Sequence, residues 1–385
     1  MIKRTYKLPQ TSFFLFGPRG TGKTTWLKEI LPDAKWIDLV RNEEYLRYLR
    51  NPGLARMEIA ALAKGTWIVI DEVQKLPDIL NDVHSILTDF PDTYRFALSG
   101  SSARKLRRLN ANLLPGRTIT RNFYPLTAAE LSFEMPVDRA LSTGCLPKII
   151  TEPGSAIDLL DAYVANYLKQ EIQQEALVEN IGSFARFLEV AALMNARVVN
   201  TSNIARDTGV ARNTVDRYFD VLEQTLIGTW LPGWQPRAKV KEASRPKFFF
   251  FDTGVVRAIQ GTTRDRIENA EKGYLLETWI LHELRAYQTV SGCGGSFSYW
   301  GTPGGSEIDF IWTRGREAVG IEIKSGDTWR SRASDALKGL AENGTITRAF
   351  GVYHGPAPLK DGPVTILPVI EFLKRLNDGG VIGYD

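Results

Sequence analysis

The sequence predicts an α/β protein of several modules, the first of which contains a parallel sheet. Over the first third of the chain, short apolar runs alternate with amphipathic stretches, as they do where helices cover a parallel sheet. A glycine-rich segment, GPRGTGKT at Gly17–Thr24, directly follows the first apolar run. Another run, Trp67–Ile70, ends in the acidic pair Asp71 and Glu72. These observations place the chemistry of the first module at the ends of its strands.

The elements of this module follow one another along the chain. Apolar runs predict the strands, and apolar residues at helical spacing predict the helices between them. We expect strands at Ser12–Phe16, Ala34–Leu39, Thr66–Ile70 and Tyr94–Ser99, and helices after Lys23, at Arg41–Arg50 and at Leu76–Phe90.

Composition and charge are those of an ordinary globular chain. Of the 385 residues, 43% are hydrophobic and 24% are charged, which does not favour disorder. A net charge of +4 permits an anionic partner without requiring one. The two cysteines are far apart in sequence, the N-terminus lacks the apolar region of a signal peptide, and no window is apolar enough to span a membrane. We therefore expect a cytoplasmic protein without membrane contact.

The glycine-rich segment matches the phosphate-loop pattern GxxxxGK[ST] between a predicted strand and a predicted helix. Glycines let backbone N–H groups turn toward phosphates, and the N-terminal end of the helix attracts negative charge. Lys23 would supply positive charge to the β- and γ-phosphates of ATP, and Thr24 would ligate Mg²⁺. The predicted ATP contacts in this loop are Gly17, Pro18, Arg19, Gly20, Thr21, Gly22, Lys23, Thr24 and Thr25.

The acidic pair predicts the remainder of a hydrolytic site. Asp71 would hold Mg²⁺ through water, and Glu72 would polarise the water that attacks the γ-phosphate. The alternative is a strand that simply ends in charged residues. The order of the two motifs, with the phosphate loop first, favours the hydrolytic interpretation.

With these motifs the first module resembles an AAA+ ATPase core. The resemblance implies that Ser99 or Ser101, after the fourth strand, contacts the γ-phosphate or the attacking water. It also implies that Arg117 is an arginine finger that reaches a neighbouring subunit, and hence a homo-oligomer, with a hexameric ring as one form. The competing interpretation is surface charge, because basic residues surround this position, namely Arg104, Lys105, Arg107, Arg108 and Arg121.

The whole chain also resembles a bacterial and archaeal family that joins an AAA+ core to a winged helix and a C-terminal domain long described as of unknown function. The stretches that carry this resemblance are LSGSSARKL, the GR before YPLTAAEL, Gly144–Pro147 and FFFFDTGVVRAI. Together with the patterns of helices and strands, it gives four modules. These are an AAA+ core at 1–126, a helical lid at 127–180, a winged helix-turn-helix at 181–245 and a restriction-endonuclease-like α/β domain at 246–385.

The predicted winged helix offers basic side chains for DNA. Its third helix, Ala211–Leu226, is rich in acidic residues, and only its start suits base or phosphate contacts. The stretch Gln235–Lys247 is more basic and lies near two tryptophans, which suits a phosphate-binding wing; the alternative is a solvated basic loop. The candidate DNA contacts are Arg212, Arg237, Lys239, Lys241 and Arg245.

Acidic residues and a lysine on two neighbouring predicted strands form a second candidate site. Alternation puts Glu322 and Lys324 on one face of their strand, next to Asp309. This looks like the PD-(D/E)XK nuclease core, although Ile308 stands where the Pro-Asp form has proline. The resemblance implies Glu277, on a long helix, as a further acid, and a second Mg²⁺ or Mn²⁺. The alternatives are an ordinary Glu322–Lys324 ion pair, or a DNA-docking domain without catalysis.

The sequence therefore predicts a Mg²⁺-dependent ATPase that binds DNA, branched DNA included, and remodels it or translocates on it, either alone or coupled to a nuclease-like domain. The rival hypothesis is a nucleotide-dependent switch or scaffold that binds protein partners and carries an inert nuclease-like fold.

Overall fold

The computed structural model describes residues 2–101, 106, 114–168, 180–236, 245–302 and 304–383. The chain divides into two compact units, one formed by Tyr6–Pro125 with Gln224–Ile227 and the other by Met1–Thr5, Leu126–Glu223 and Gly228–Asp385. The candidate residues that lie outside the described part are Arg104, Lys105, Arg107, Arg108, Arg237, Lys239 and Lys241.

The N-terminal unit contains a parallel sheet with the strand order β2-β3-β4-β1-β5. Its strands are β1 (Phe13–Phe16), β2 (Lys35–Asp38), β3 (Trp67–Asp71), β4 (Arg95–Gly100) and β5 (Ile119–Asn122). Its helices include α1 (Lys23–Ile30), α2 (Asn42–Arg50), α3 (Leu54–Ala60) and α4 (Ile79–Asp89).

The elements predicted for this unit are confirmed, with small shifts of their ends. Helix α4 starts later than predicted because Val73–Lys75 forms a separate 3₁₀ turn. Strand β5 was not predicted, because its sequence, ITRN, is short and mostly polar. Since β4 lies between β1 and β3, the segments that follow these strands meet at one edge of the sheet.

The second unit begins with a helical region that contains α5 (Val137–Thr143), α6 (Pro147–Thr151) and α7 (Ala156–Ala162). The loop after α5 is pressed against Asp252: a Cβ added to Gly144 would lie 2.0 Å from Asp252 Oδ1. The same carboxylate accepts hydrogen bonds from Cys145 N at 2.7 Å and Val255 N at 3.1 Å. Two of the stretches that carry the family resemblance, Gly144–Pro147 and FFFFDTGVVRAI, therefore pack on each other and stabilise the fold.

The chain continues through α8 (Ile181–Leu193), β6 (Arg197–Val198), α9 (Thr201–Thr208), α10 (Arg212–Gln224), β7 (Gly228–Leu231) and β8 (Lys247–Phe250). The strands pair antiparallel in the order β6-β8-β7. The boundary predicted at residue 246 puts this last strand in the C-terminal domain, whereas in the structure β8 pairs with β6 and β7 of the preceding segment. Phe248 stacks edge-on against Phe219 and Trp230, whereas Phe249 contacts Phe310. Because β8 is buried on both faces, its apolar run does not indicate which sheet it joins.

The C-terminal part of this unit is a mixed sheet with helices. Its strands run in the order β13-β14-β12-β11-β10-β9, with β9, β10 and β11 antiparallel and β12 parallel to β11. Within the described part of the chain, no helix is long and apolar enough to span a membrane. The strands are β9 (Ser296–Gly301), β10 (Glu307–Arg314), β11 (Glu317–Lys324), β12 (Arg348–Tyr353), β13 (Leu359–Asp361) and β14 (Val364–Pro368). The helices are α11 (Thr253–Gln260), α12 (Asn269–Ser291), α13 (Asp335–Glu342) and α14 (Val369–Asn377).

Candidate functional sites

The loop between β1 and α1 has the backbone that its glycines allow. Gly20 and Gly22 have φ values of 79° and 94°, in the left-handed region that disfavours other residues. A Cβ on Gly17 would lie 2.2 Å from the carbonyl oxygen of Phe123, so this loop passes too close to the chain for a side chain. The loop conformation therefore requires the glycines of the motif.

Lys23 is folded onto the loop itself. Its Nζ donates to the carbonyl oxygens of Gly17 at 2.6 Å and Pro18 at 3.1 Å, and the residue is only 5% exposed. Of the other predicted contacts, Thr21 is buried, Arg19 is half-buried and Thr25 is exposed on the first turn of α1.

Asp71, at the end of β3, links this strand to α1 and to β4 by side-chain hydrogen bonds. Its Oδ2 accepts a hydrogen bond from Thr24 Oγ1 at 2.8 Å, and its Oδ1 accepts one from the Ser99 hydroxyl. The structure thus brings Thr24, Asp71 and Ser99 together, although they are far apart in sequence. A hydroxyl and a carboxylate are hard oxygen ligands of the kind Mg²⁺ takes beside substrate phosphates, so these residues fit that ion.

Glu72 is held by a residue that the sequence analysis did not select. It adopts φ 56°, a conformation that costs a non-glycine residue about 1 kcal/mol or more. Gln74 Nε2 donates to the Glu72 carboxylate and, at 2.9 Å, to Ser101 Oγ. Gln74 is buried, and its position two residues after the acidic pair was the only sequence signal for it.

Arg117 contacts helix α4. Its guanidinium donates to the carbonyl oxygen of His84 at 3.4 Å and to the hydroxyl of Thr88. Its role as a finger toward another subunit stays a prediction.

Comparison with known proteins assigns this part of the chain. A family model described as an AAA domain matches residues 10–132. These residues form an AAA-type ATPase domain. Two models described as domains of unknown function, DUF8612 and DUF4143, match residues 136–266 and 272–372.

Similarity over most of the chain is found to two mycobacterial proteins. Uncharacterized protein Rv2008c of Mycobacterium tuberculosis and Uncharacterized protein Mb2031c of Mycobacterium bovis are each 26% identical over 361 residues, covering 91% of this chain and 79% of the relative. Among solved structures, Thermotoga maritima RuvB aligns at 18% identity over 58% of this chain and 82% of its own, with a TM-score of 0.28. Protein VC1899 of Vibrio cholerae aligns at 11% identity over 95% and 96%, with a TM-score of 0.23. TM-scores of this size do not establish a shared fold.

Outside the AAA domain, the acidic residues predicted on β10 and β11 lie side by side. Phe310 pairs with Ile321, so Asp309 stands opposite Glu322 on the neighbouring strand. Asp309 Oδ2 accepts a hydrogen bond from Ile323 N at 2.7 Å. The remaining members are arranged around two lysines.

Lys324 forms an ion pair with Glu322. Lys247 lies between Glu277 of α12 and the acidic residues of β10. The Nζ of Lys247 lies 3.4 Å from Glu277 Oε2 and 3.9 Å from Asp309 Oδ1, and it also contacts Glu307. The structure therefore brings together Glu277, Asp309, Glu322 and Lys324, and adds Glu307 and Lys247. The strand alternation that linked Glu322 to Lys324 could also have selected Glu307, two residues before Asp309. No comparable signal selected Lys247.

Burial dominates the electrostatics of this cluster. Burial, followed by repulsion from Asp309, raises the pKa of Glu277 to about 8 and the pKa of Glu322 well above its ordinary value. Burial also raises the pKa of Asp309, against the opposing effects of Lys247 and Lys324. Burial therefore opposes ionisation of these carboxyl groups, whereas the neighbouring lysines favour it.

A large cleft, open to solvent, lies beside the cluster. It has a volume of about 710 Å³ and includes Glu307, Glu322 and Lys324 in its lining. Arg330 and Arg332 also line it, so it presents both acidic and basic groups to a ligand.

The described DNA-contact candidates are at the surface. Arg212 begins α10 with its side chain 66% exposed, and it lies 3.9 Å from Asp216. Arg245 is also exposed, and its carbonyl oxygen accepts a hydrogen bond from the Tyr299 hydroxyl at 2.6 Å.

A further buried carboxylate, Glu283 on α12, predicts how stability depends on pH. Its Oε1 accepts a hydrogen bond from Ala128 N at 2.8 Å, and burial raises its pKa from 4.5 to about 8. Between these two pH values the folded state binds a proton that the unfolded state has lost, so stability falls as pH rises. We expect the melting temperature to fall from pH 5 to pH 8.5 and Glu283→Gln to make this fall shallower. Glu268→Gln, at an exposed site on the same unit, should leave the slope unchanged. A Glu283→Gln protein with the wild-type slope would contradict the assignment.

Proposed function

We propose that this protein is a Mg²⁺-dependent ATPase that binds DNA and remodels it or translocates on it. The observation that carries the ATPase part is the contact of Thr24 and Ser99 with Asp71 beside the phosphate loop of the AAA domain. It joins the three sequence segments that nucleotide hydrolysis needs.

In this proposal each residue of the site has one task. Lys23 binds the β- and γ-phosphates, which draws its Nζ away from the carbonyl oxygens of the loop. Thr24 and Asp71 would hold Mg²⁺, which would supply positive charge to offset the charge on the phosphates. Glu72 accepts a proton from the water that attacks the γ-phosphate, and Ser99 orients Asp71. Arg117, near the domain surface, serves the nucleotide of a neighbouring subunit in a homo-oligomeric ring.

The DNA part of the proposal is supported by the order of elements after the helical region. The succession α8, β6, α9, α10, β7 and β8 supports a winged helix, in which the predicted wing follows β7 and precedes β8 in sequence. Arg212 and Arg245 are exposed on this part, and the predicted wing contacts Arg237, Lys239 and Lys241 fall between β7 and β8 in sequence.

The C-terminal sheet supports a nuclease-like fold. A helix, three antiparallel strands, a second helix and a parallel strand follow one another as α12, β9, β10, β11, α13 and β12. The carboxylates of Asp309 and Glu322 lie on adjacent strands, next to a cleft with arginines that suit a phosphate backbone. We propose this cleft as a second DNA contact.

The test is the rate of ATP hydrolysis with single-stranded, duplex and branched DNA. We expect at least one of these to stimulate turnover, and Lys23→Ala to abolish both the basal and the stimulated rate. An ATPase that is insensitive to all three DNAs and binds none of them would remove the DNA part and leave the ATPase assignment intact.

A second candidate function, a nucleotide-dependent switch that binds protein partners, is favoured by two observations. Arg212 is close to Asp216 on an acid-rich helix, and Lys247 neutralises part of the acidic cluster. Incubating branched and linear DNA with Mg²⁺ or Mn²⁺ separates the hypotheses. Cleavage that is lost in Asp309→Ala supports a nuclease. If no DNA is cleaved and Mg²⁺ or Mn²⁺ does not change DNA binding, the C-terminal domain is inert.

A further inference from the structure

An ammonium group lies where the acidic cluster of the C-terminal domain converges. The side chain of Lys247 is only 5% exposed, and its Nζ contacts carboxylates from α12 and from two positions of β10. Its three acidic neighbours are Glu277, Glu307 and Asp309. Burial lowers the pKa of Lys247, but these neighbours raise it, and the net change is upward. Lys247 is therefore positively charged in the folded protein.

This charge comes from outside the sheet that carries the acids. Lys247 is the first residue of β8, which pairs with β6 and β7. Tyr299 of β9 fixes the start of this strand: its ring centroid lies 5.4 Å from Lys247 Nζ, and its hydroxyl donates to the carbonyl oxygen of Arg245. Because β8 packs against the C-terminal sheet, Lys247 lies within the acidic cluster.

The cluster in this form does not fit the divalent metal that a nuclease-like fold implies. Mg²⁺ takes oxygen ligands in near-octahedral geometry at about 2.0–2.1 Å, and Mn²⁺ likewise needs oxygen ligands on several sides. In the described residues, no group of three or more His, Cys, Asp or Glu side chains could hold a metal ion. Glu277 and Asp309 face the ammonium, and Glu322 is paired with Lys324 through Oε1.

One atom shows that the cluster still has capacity for a cation. Among the residues that the structure describes, Glu322 Oε2 is buried without a hydrogen-bond partner, and Glu322 as a whole is only 7% exposed. A buried carboxylate oxygen without a partner is costly, and a cation bound between β10 and β11 would satisfy it. One oxygen of the kind that a cation binds is therefore available, but the Lys247 ammonium lies among the neighbouring acids.

We propose that Lys247 is a built-in counter-cation that closes this carboxylate cluster to divalent metal ions. The C-terminal domain is charge-balanced without a metal while β8 is in place. Taking away the ammonium converts the same carboxylates into a Mn²⁺ site. This inference does not depend on DNA binding or on ATP hydrolysis.

The experiment measures Mn²⁺ binding to the full chain without nucleotide, by electron paramagnetic resonance of free Mn²⁺. We compare the wild type with Lys247→Met, with the double variant Lys247→Met/Asp309→Asn, and with Lys338→Met as a control. Lys338 forms an ion pair with Asp361 in the same domain, at 2.6 Å. Lys247→Met should gain a site that binds Mn²⁺ at least about tenfold more tightly than any C-terminal site of the wild type. In the wild type, the positive charge of Lys247 repels a cation that binds to the same carboxylates. The double variant should lose the gained site, and Lys338→Met should behave as wild type.

Thermal unfolding provides a second readout. Lys247→Met leaves buried carboxylates without their cation, so its melting temperature should fall in EDTA and recover in Mn²⁺, whereas that of the wild type should not respond. If Lys247→Met does not fold in EDTA, Lys247→Met/Glu307→Gln removes one negative charge together with the lysine and should show the same recovery. Wild-type protein that binds Mn²⁺ at Asp309 as tightly as Lys247→Met would overturn the proposal. So would folded variants that gain no Asp309-dependent site.

Discussion

Replacing Lys23 by alanine is expected to weaken ATP binding by at least about 100-fold and to reduce ATP hydrolysis to background, since the loss of a buried charged contact costs roughly 3 kcal/mol or more. The loop holds Lys23 Nζ within 3.1 Å of the carbonyl oxygens of Gly17 and Pro18. Lys23 is the lysine of the GK[ST] part of the motif, and Arg19, the other basic residue of the loop, stands at one of its variable positions. Equilibrium titration with a fluorescent ATP analogue measures the binding, and phosphate release measures the turnover.

The matched control for this variant is Lys28→Ala. Lys28 is on the same helix but exposed, with its Nζ 5.6 Å from the ring of Trp36. Its removal should leave affinity and turnover near wild type. If Lys23→Ala bound ATP as tightly as Lys28→Ala, the phosphate loop would not be the nucleotide site.

Replacing Glu72 by glutamine should separate binding from hydrolysis. Glutamine keeps the shape of the side chain but cannot accept the proton of the attacking water, and general-base catalysis is worth about 10²- to 10⁴-fold in rate. We therefore expect turnover to fall by at least about 100-fold while ATP affinity stays near wild type. Single-turnover hydrolysis and titration with the ATP analogue give the two numbers.

Glu29→Gln is the control for this substitution, because Glu29 is an exposed acid on α1. It should leave both quantities unchanged. Hydrolysis at the wild-type rate in Glu72→Gln would remove Glu72 as the general base. A parallel loss of affinity would instead indicate that the left-handed conformation of Glu72 shapes the loop, together with the hydrogen bond that its carboxylate accepts from Gln74 and the one that its backbone N–H donates to Ser99 Oγ.

Local patterns in the sequence were enough to predict the AAA domain. The glycines and Lys23 belong to one short motif, and Asp71 follows a short apolar run that is typical of a buried strand. Such features depend on neighbours within a few residues, so one sequence carries them in full. Strand β5 lacked this signal because its side chains are polar and its strand is short.

The sequence by itself determined the phosphate loop, the acidic pair, the alternation of strands and helices, and the placing of Asp309, Glu322 and Lys324 on neighbouring strands. Only the tertiary structure decided that β8 joins β6 and β7, that Gln74 holds Glu72, and that Lys247 lies among Glu277, Glu307 and Asp309. The physical reason is the separation along the chain between the residues that interact. Motif chemistry and strand periodicity are set by covalent spacing along the chain. The partner of a fully buried strand, and the charge that balances a buried carboxylate, are set by packing between segments that the sequence separates by many residues.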